Sequence, residues 1–385
     1  MPTNAQPGSP RRSAPFRILA IALLGVVAAS ACTDASARIR PKAARTPNPE
    51  LGNGRAITIA FGGDSSFEGL GGALAARPGD LLAAMAPTLS RADFAMVNLE
   101  TALGTTGSPS PKAFNFRAPA TAITALGAAG VDAVTMANNH GMDYGPTGLT
   151  DTLAIRSASA QSDHVSILGV GSDENDAYSP LITEVKGQRL GVIAANDVFD
   201  TVLEAQWTAG PAKAGLASAK AGDREARLVR QVRDTRKDVD TLVVYLHMGR
   251  EKDTCPTPRQ VELADALHKA GADIVIGSHA HRLQGAGFRN GRFVAYGMGN
   301  FVFKAPTAES AKAAALEVTV TGRRVDSFHW VPASIRNAVP VPLSGNAEAA
   351  AQAELEQRRE CAGLSPNAGD SELSPNAGPA DRDAP

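Results

Sequence analysis

Leu242-Val243-Val244-Tyr245-Leu246-His247-Met248-Gly249-Arg250-Glu251 is an apolar, β-branched run that ends on a histidine. Five consecutive apolar positions read as a strand buried on both faces, as in a sheet covered by helices. His247 then falls at the strand's carboxyl end, where open α/β sheets place their ligands. The pattern recurs along the chain. Ile57 to Phe61 runs into Gly62-Gly63-Asp64, and Phe94 to Val97 into Asn98-Leu99-Glu100. Ala133 to Met136 runs into Ala137-Asn138-Asn139-His140, and Ile274 to Ile276 into Gly277-Ser278-His279-Ala280-His281. Further strands are expected at Leu190 to Ala195, Phe293 to Tyr296, Leu316 to Val320 and Val325 to Val331.

Stretches of helical period lie between these strands, at Leu81 to Leu89, Ala120 to Ala129, Thr147 to Ser159, Arg224 to Lys237 and Arg259 to Ala270. Asp80, Asp223 and Thr257 are expected N-caps, and Gly130 and Gly271 are expected to close helices in the left-handed conformation. The alternation defines an α/β fold. Its last strands follow one another across Asn290-Gly291 and Thr321-Gly322, which predicts antiparallel hairpins on mixed sheets and rules out a purely parallel barrel.

The chain has 385 residues, 43% of them hydrophobic, enough to bury a sizeable core and too many for a disordered chain. Thirty-eight basic residues stand against 39 acidic ones without clustering, and aromatics are only 5%. These figures exclude nucleic acid as a partner, because there is no basic face to release counterions and little to stack bases on.

Residues 1–31 read as a secretory signal: Arg11, Arg12 and Arg17 precede the apolar run Ile18 to Ala31. Ala29-Ser30-Ala31-Cys32 resembles a bacterial lipobox, so Cys32 is the expected lipidation site and 32–55 a flexible tether. The protein is therefore expected outside the cytoplasm, anchored to the membrane by lipid. Cys255 and Cys361 remain as an even pair in an oxidising compartment, where either a disulfide or two free thiols fits the sequence. Residues 56–335 form the expected domain, 336–363 a C-terminal helical segment, and 364–385 a disordered tail in which Leu364–Gly369 recurs as Leu373–Gly378.

Four of the seven histidines, His140, His247, His279 and His281, lie at strand exits with Asp64, Glu100 and Asn139. An oxygen and nitrogen donor set without Cys suits one or two divalent first-row ions such as Mn, Fe or Zn, bound by neutral imidazoles. His164, His268 and His329 read as structural.

Seven ordered phrases carry a resemblance. They are Gly62-Gly63-Asp64, Val97-Asn98-Leu99-Glu100, Phe114-Asn115-Phe116-Arg117-Ala118-Pro119, Ala137 to Gly145, His247-Met248-Gly249-Arg250-Glu251, Gly277 to His281 and Gly297-Met298-Gly299-Asn300-Phe301. In this order they resemble the CapA family of capsule and poly-γ-glutamate biosynthesis proteins. That family is similar to the calcineurin-like metallophosphoesterases, so the resemblance implies a four-layer α/β/β/α sandwich with mixed sheets. It places Asp64 and His281 on a first metal, Asn139, His247 and His279 on a second, and Glu100 in the bridging position. His140 would be general acid or charge stabiliser with Asp143 orienting its ring, and Glu251 a ligand or base. Asn115, Arg117 and Asn300 would contact an anionic substrate. Metallophosphoesterases carry His where this chain has Ser66, and Asp where it has Glu100.

The resemblance implies a metal-activated hydroxide that attacks a phosphoester or an amide of an exported anionic polymer, with other capsule-synthesis proteins as partners. A non-catalytic assembly factor that holds polymer in a degenerate site is the second reading. A third takes Gly63-Asp64-Ser65 as similar to a GDS-type serine esterase, with Ser65 as nucleophile and Asp326 and His329 supplying the base, although that family's Gly-x-Asn-Asp block is missing.

Overall fold

In the computed structural model, residues 50–370 are described. The signal segment 1–31, Cys32, the tether to residue 49 and residues 371–385 lie outside the described residues. Two mixed sheets dominate. The first contains β1 (Ile57–Ser65), β2 (Phe94–Leu99), β3 (Ala133–Thr135) and β4 (Ser166–Leu168), all parallel neighbours in that order. The second is built from β5 (Leu181–Val185), β6 (Gln188–Asn196), β7 (Thr241–Met248), β8 (Ile274–His279), β9 (Ala286–Arg289) and β10 (Arg292–Ala295). Its order is β9-β10-β8-β7-β6-β5, parallel through the centre and antiparallel at both edges. The chain then returns to the first sheet, where β11 (Asn300–Val302) lies parallel to the end of β1. The strands β12 (Lys312–Thr321), β13 (Arg324–Arg336) and β14 (Val339–Pro342) extend that sheet as an antiparallel meander.

Side-chain alternation sorts the buried residues into three apolar layers. Ala60, Val97 and Val134 face Ile123 and Leu126 of α1 (Thr121–Ala128) and Leu149 of α2 (Gly145–Ser162). Their neighbours Ile59, Phe61 and Met96 turn the other way, onto Val192, Val243, Tyr245 and Ile276 of the second sheet. Ile193, Val244 and Leu246 meet Leu228 and Val232 of α3 (Asp223–Arg236) and Leu263 and Leu267 of α4 (Pro258–Ala270). Three apolar layers separating two sheets and two helical sets make an α/β/β/α sandwich. Tyr245 ties the sheets directly, donating its hydroxyl to the Gly62 carbonyl at 2.7 Å.

Several local expectations hold. Thr257 caps α4 in a capping box with Gln260, and Gly271 ends it at φ 119°. Asn290-Gly291 turns β9 into β10 with both residues at positive φ. Others are corrected. Leu81 to Leu89 is not one helix but a turn followed by Ala86–Leu89, because Pro87 limits the chain to a first turn, and Asp80 lies within a short 3-10 turn rather than capping anything. Gly222, not Asp223, is the N-cap of α3. The C-terminal segment begins with β14 before its helix α5 (Asn346–Cys361). The first repeat copy is inside the fold: Leu364 and Ser365 are buried, and Ser365 exchanges two backbone hydrogen bonds with Phe288 at 2.8 and 2.9 Å. Cys255 and Cys361 form a disulfide, with Cα atoms 5.8 Å apart, that ties the end of α5 to the loop after β7.

Candidate metal centre

The parallel strands of both sheets end on one side of the sandwich, and the polar exits meet there. Gly63 makes the approach possible: a Cβ on it would stand 2.0 Å from the Gly299 carbonyl oxygen, so only glycine lets β1 cross that segment. The Asp64 N–H then donates to Gly299 O at 2.8 Å, which fixes the carboxylate. His279 and His281 take positive φ values of 89° and 51°, strained conformations for side-chain-bearing residues that cluster at functional sites.

Two groups of ligand atoms form, each within 4.8 Å: Glu100, His247 and His279, and Asp64, Glu100 and His281. Glu100 is common to both and fully buried. His247 Nε2 at 3.4 Å, His281 Nε2 at 3.9 Å and His140 Nε2 at 4.0 Å ring its Oε1. Yet neither Glu100 oxygen has a hydrogen-bond partner, nor does His279 Nδ1. Orphaned buried carboxylate oxygens are costly, and a divalent cation is the partner that would satisfy them. The residues present therefore fit one or two divalent ions. Asn139 completes the second group, its Oδ1 2.7 Å from His247 Nε2, so the amide and the imidazole face the same point.

Charge within the site follows from burial. Desolvation, then the neighbouring Asp64, holds Glu100 well above the ordinary glutamate range. Burial and neighbouring imidazoles push His247 well below the usual histidine value and His279 down to about 3, so both are neutral, the form that ligates. Burial also opposes charge on His281, but Glu100 and Asp64 outweigh it and carry the ring up to about 10.

A hydrogen-bonded lattice behind the ligands sets their orientation. Asn98 Nδ2 donates to Asp64 Oδ1 at 2.8 Å, and Asn98 Oδ1 accepts from Asn138 Nδ2 at 3.0 Å. Asn138 Oδ1 accepts the His140 N–H at 3.1 Å. His247 Nδ1 lies 3.1 Å from Ser278 Oγ and 3.2 Å from Asn98 Nδ2, contacts that hold the ring with Nε2 toward Asn139 and Glu100. Asn300 Oδ1 lies 2.8 Å from His281 Nδ1, so Asn300 orients a ligand rather than meeting substrate first.

His140 lies against the shared carboxylate of Glu100. Its Nδ1 is 2.6 Å from Asp143 Oδ2, which leaves Nε2 facing Glu100. Burial lowers its pKa and Asp143 opposes that shift. Phe116 stacks on the ring at 4.2 Å, and Phe303 lies 4.9 Å from the His281 ring, so aromatic faces screen the cleft. The sequence reading missed Lys112. Its buried ammonium pairs with Asp143 Oδ1 at 3.0 Å and Asp200 at 3.4 Å, bonds the Asn139 carbonyl, and lies 5.2 Å over Trp207. Nothing local to Pro111-Lys112-Ala113 separates it from a surface lysine.

Three predicted residues serve elsewhere. Arg117 stacks on Tyr144 at 3.3 Å and donates to the Thr105 carbonyl at 2.7 Å, so its guanidinium braces a loop instead of forking onto substrate. Asn115 staples that loop through Ser110, at 3.1 Å in both directions. Glu251 is exposed and belongs to neither ligand group, although its charge favours that of His281. The serine-esterase arrangement is not assembled. Ser65 is buried with its hydroxyl on the Gly63 carbonyl, whereas His329 is exposed opposite Glu317, far down the sheet, and Asp326 bonds Thr321 and Arg324.

The two-sheet α/β/β/α sandwich thus gathers His, Asp, Glu and Asn side chains at its strand ends. The chain belongs to the bacterial capsule synthesis protein PGA_cap family, whose profile matches residues 58–305 and so includes every residue of the two groups. It is 30% identical over 208 residues to the PGA biosynthesis protein CapA of Bacillus subtilis (strain 168), covering 54% of this chain and 52% of that one. It is 30% identical over 223 residues to the capsule biosynthesis protein CapA of Bacillus anthracis, covering 58% and 52%. The chain spans about half the length of these curated relatives. Among solved structures, a hypothetical protein from Thermus thermophilus aligns with TM-score 0.45 and 17% identity over 73% of this chain and 100% of that one. The sulfate thiohydrolase SoxB from the same organism aligns with TM-score 0.35 and 14% identity over 63% and 37%.

Proposed function

We propose that this protein is a metal-dependent hydrolase acting on an anionic capsule-type polymer of the poly-γ-glutamate kind, outside the cytoplasm and tethered to the membrane through lipid on Cys32. One observation carries the hydrolase reading: Glu100, fully buried, has both oxygens unpartnered at the junction of two ligand groups. Asp64, Glu100 and His281 would hold one ion, and Glu100, Asn139, His247 and His279 a second. A divalent ion there supplies Lewis acidity and lowers the pKa of water. The chain's own part is to place a proton acceptor opposite. With its Nδ1 proton on Asp143, His140 can accept a proton at Nε2 and return it to a leaving group. Lys112 neutralises Asp143, and Phe116 holds the ring flat and excludes water on that side. The relatives' roles in capsule and polymer biosynthesis support the substrate class.

Metal content, measured after reconstitution with Mn or Zn, is to be compared with chain shortening of poly-γ-glutamate and turnover of phosphoesters. Wild type is expected to hold at least one equivalent and to cleave polymer. Glu100→Gln and His279→Ala should lose metal and at least ~100-fold of the activity, as loss of a ligand removes the electrostatic stabilisation the site is built for. Less than half an equivalent in wild type with no turnover sinks the hydrolase reading and leaves a polymer-holding role for the cleft. Cleavage of phosphoesters alone reassigns the substrate.

A further inference from the structure

Asn196 ends β6 and lies in parallel register beside His247 on β7. The alternation that turns Ala194 and Tyr245 into the layer between the sheets, and Ala195 and Leu246 out of it, points Asn196 and His247 the same way. Asn196 is fully buried, as are Glu100 and His247. Its amide orientation is determined by chemistry: Oδ1 must face the Val198 N–H, from which it accepts at 2.9 Å. That leaves Nδ2 turned away, and it has no hydrogen-bond partner. A buried unpartnered amide is costly, and the backbone offers no slack to relieve it. Asn196 N donates to Ala217 O at 2.9 Å, Ala219 N donates to Asn196 O at 2.7 Å, and Asp197 N donates to His247 O at 2.8 Å.

We propose that Asn196 is a substrate-binding residue of the metal centre, whose Nδ2 donates to an anionic oxygen of the substrate's reacting group, carbonyl or phosphoryl, beside His247. The assignment rests on the proposed metal function. A neutral donor suits this place, because it binds a developing negative charge without competing for the cation.

Inorganic phosphate is the probe, titrated calorimetrically into manganese-loaded protein, with metal stoichiometry and Tm measured alongside. Asn196→Asp keeps the acceptor for Val198 but removes the donor, and Asn196→Ala removes both without adding charge. Both variants are expected to retain metal and to bind phosphate 10-fold or more weakly, while Tm falls mainly in the alanine variant. Weakening in Asn196→Ala alone, together with its Tm, means that only the Val198 cap matters. Weakening in Asn196→Asp alone means only charge repulsion. Either result, or no phosphate binding by metal-loaded wild type, overturns the assignment. Failure of wild type to hold metal is a separate result, since it removes the metal reading itself.

Discussion

Asp143 binds two partners at once, the His140 ring through Oδ2 and the Lys112 ammonium through Oδ1, and all three side chains are at most 7% exposed. Removing one partner of a buried ion pair leaves an uncompensated charge, a loss of about 3–5 kcal/mol. Lys112→Met should therefore lower stability by ~3 kcal/mol in urea unfolding, and Asp143→Asn by a similar amount. The double variant should lose at least ~1 kcal/mol less than the sum of the two, because the partner left behind is then neutral. Strict additivity would show that the pair is not coupled. The strand exits made Asp64, Glu100, Asn139, His140, His247, His279 and His281 readable from residue type and position alone. Lys112 and Asn196 were not readable, since each acquires its role from a neighbour distant in sequence: Asp143 is 31 positions from Lys112, and His247 is 51 from Asn196.

Helix α4 shows the same division at the level of the element. Thr257, Pro258, Gln260 and Gly271 delimit it by local chemistry, and the sequence places it correctly. Its His268, read as structural, is half-buried with Nε2 3.1 Å from the Phe293 carbonyl. Burial, partly offset by that hydrogen bond and Asp265, lowers its pKa to about 4. The neutral ring is thus the folded form. Above ~6.5 both states are neutral and stability is at its full value; as pH falls below that, the unfolded chain takes the proton first and stability drops until about pH 4. His268→Gln keeps a donor and cannot titrate, so the stability difference between wild type and variant should shrink by roughly 2 kcal/mol from pH 7 to 4. A difference independent of pH would contradict this. Strand β5 was missed for a physical reason: Leu181-Ile182-Thr183-Glu184-Val185 is an edge strand with exposed positions, so it lacks the continuous apolar run that marked the central strands.

At the scale of the whole molecule, the Cys255–Cys361 disulfide joins residues 106 positions apart and anchors α5 to the loop that follows His247 at the end of β7. Such a bond persists in an oxidising compartment, which is what the proposed export would provide. If Cys32 carries the anchor, Cys32→Ala should move the protein from the membrane pellet to the soluble extracytoplasmic fraction, read by fractionation and immunoblot. Retention of the variant in the pellet would mean that something else holds it there.

The amino-acid sequence by itself determined the α/β alternation, the polar strand exits and the hairpins of the second half, because hydrophobic periodicity and turn chemistry are local properties. Tertiary structure alone decided that the exits converge on Glu100, that Arg117 and Asn115 brace a loop, and that Leu364 and Ser365 join the sheet. Those outcomes depend on which strands become neighbours. That choice is made when two sheets bury a common apolar layer, and no window of the chain contains it.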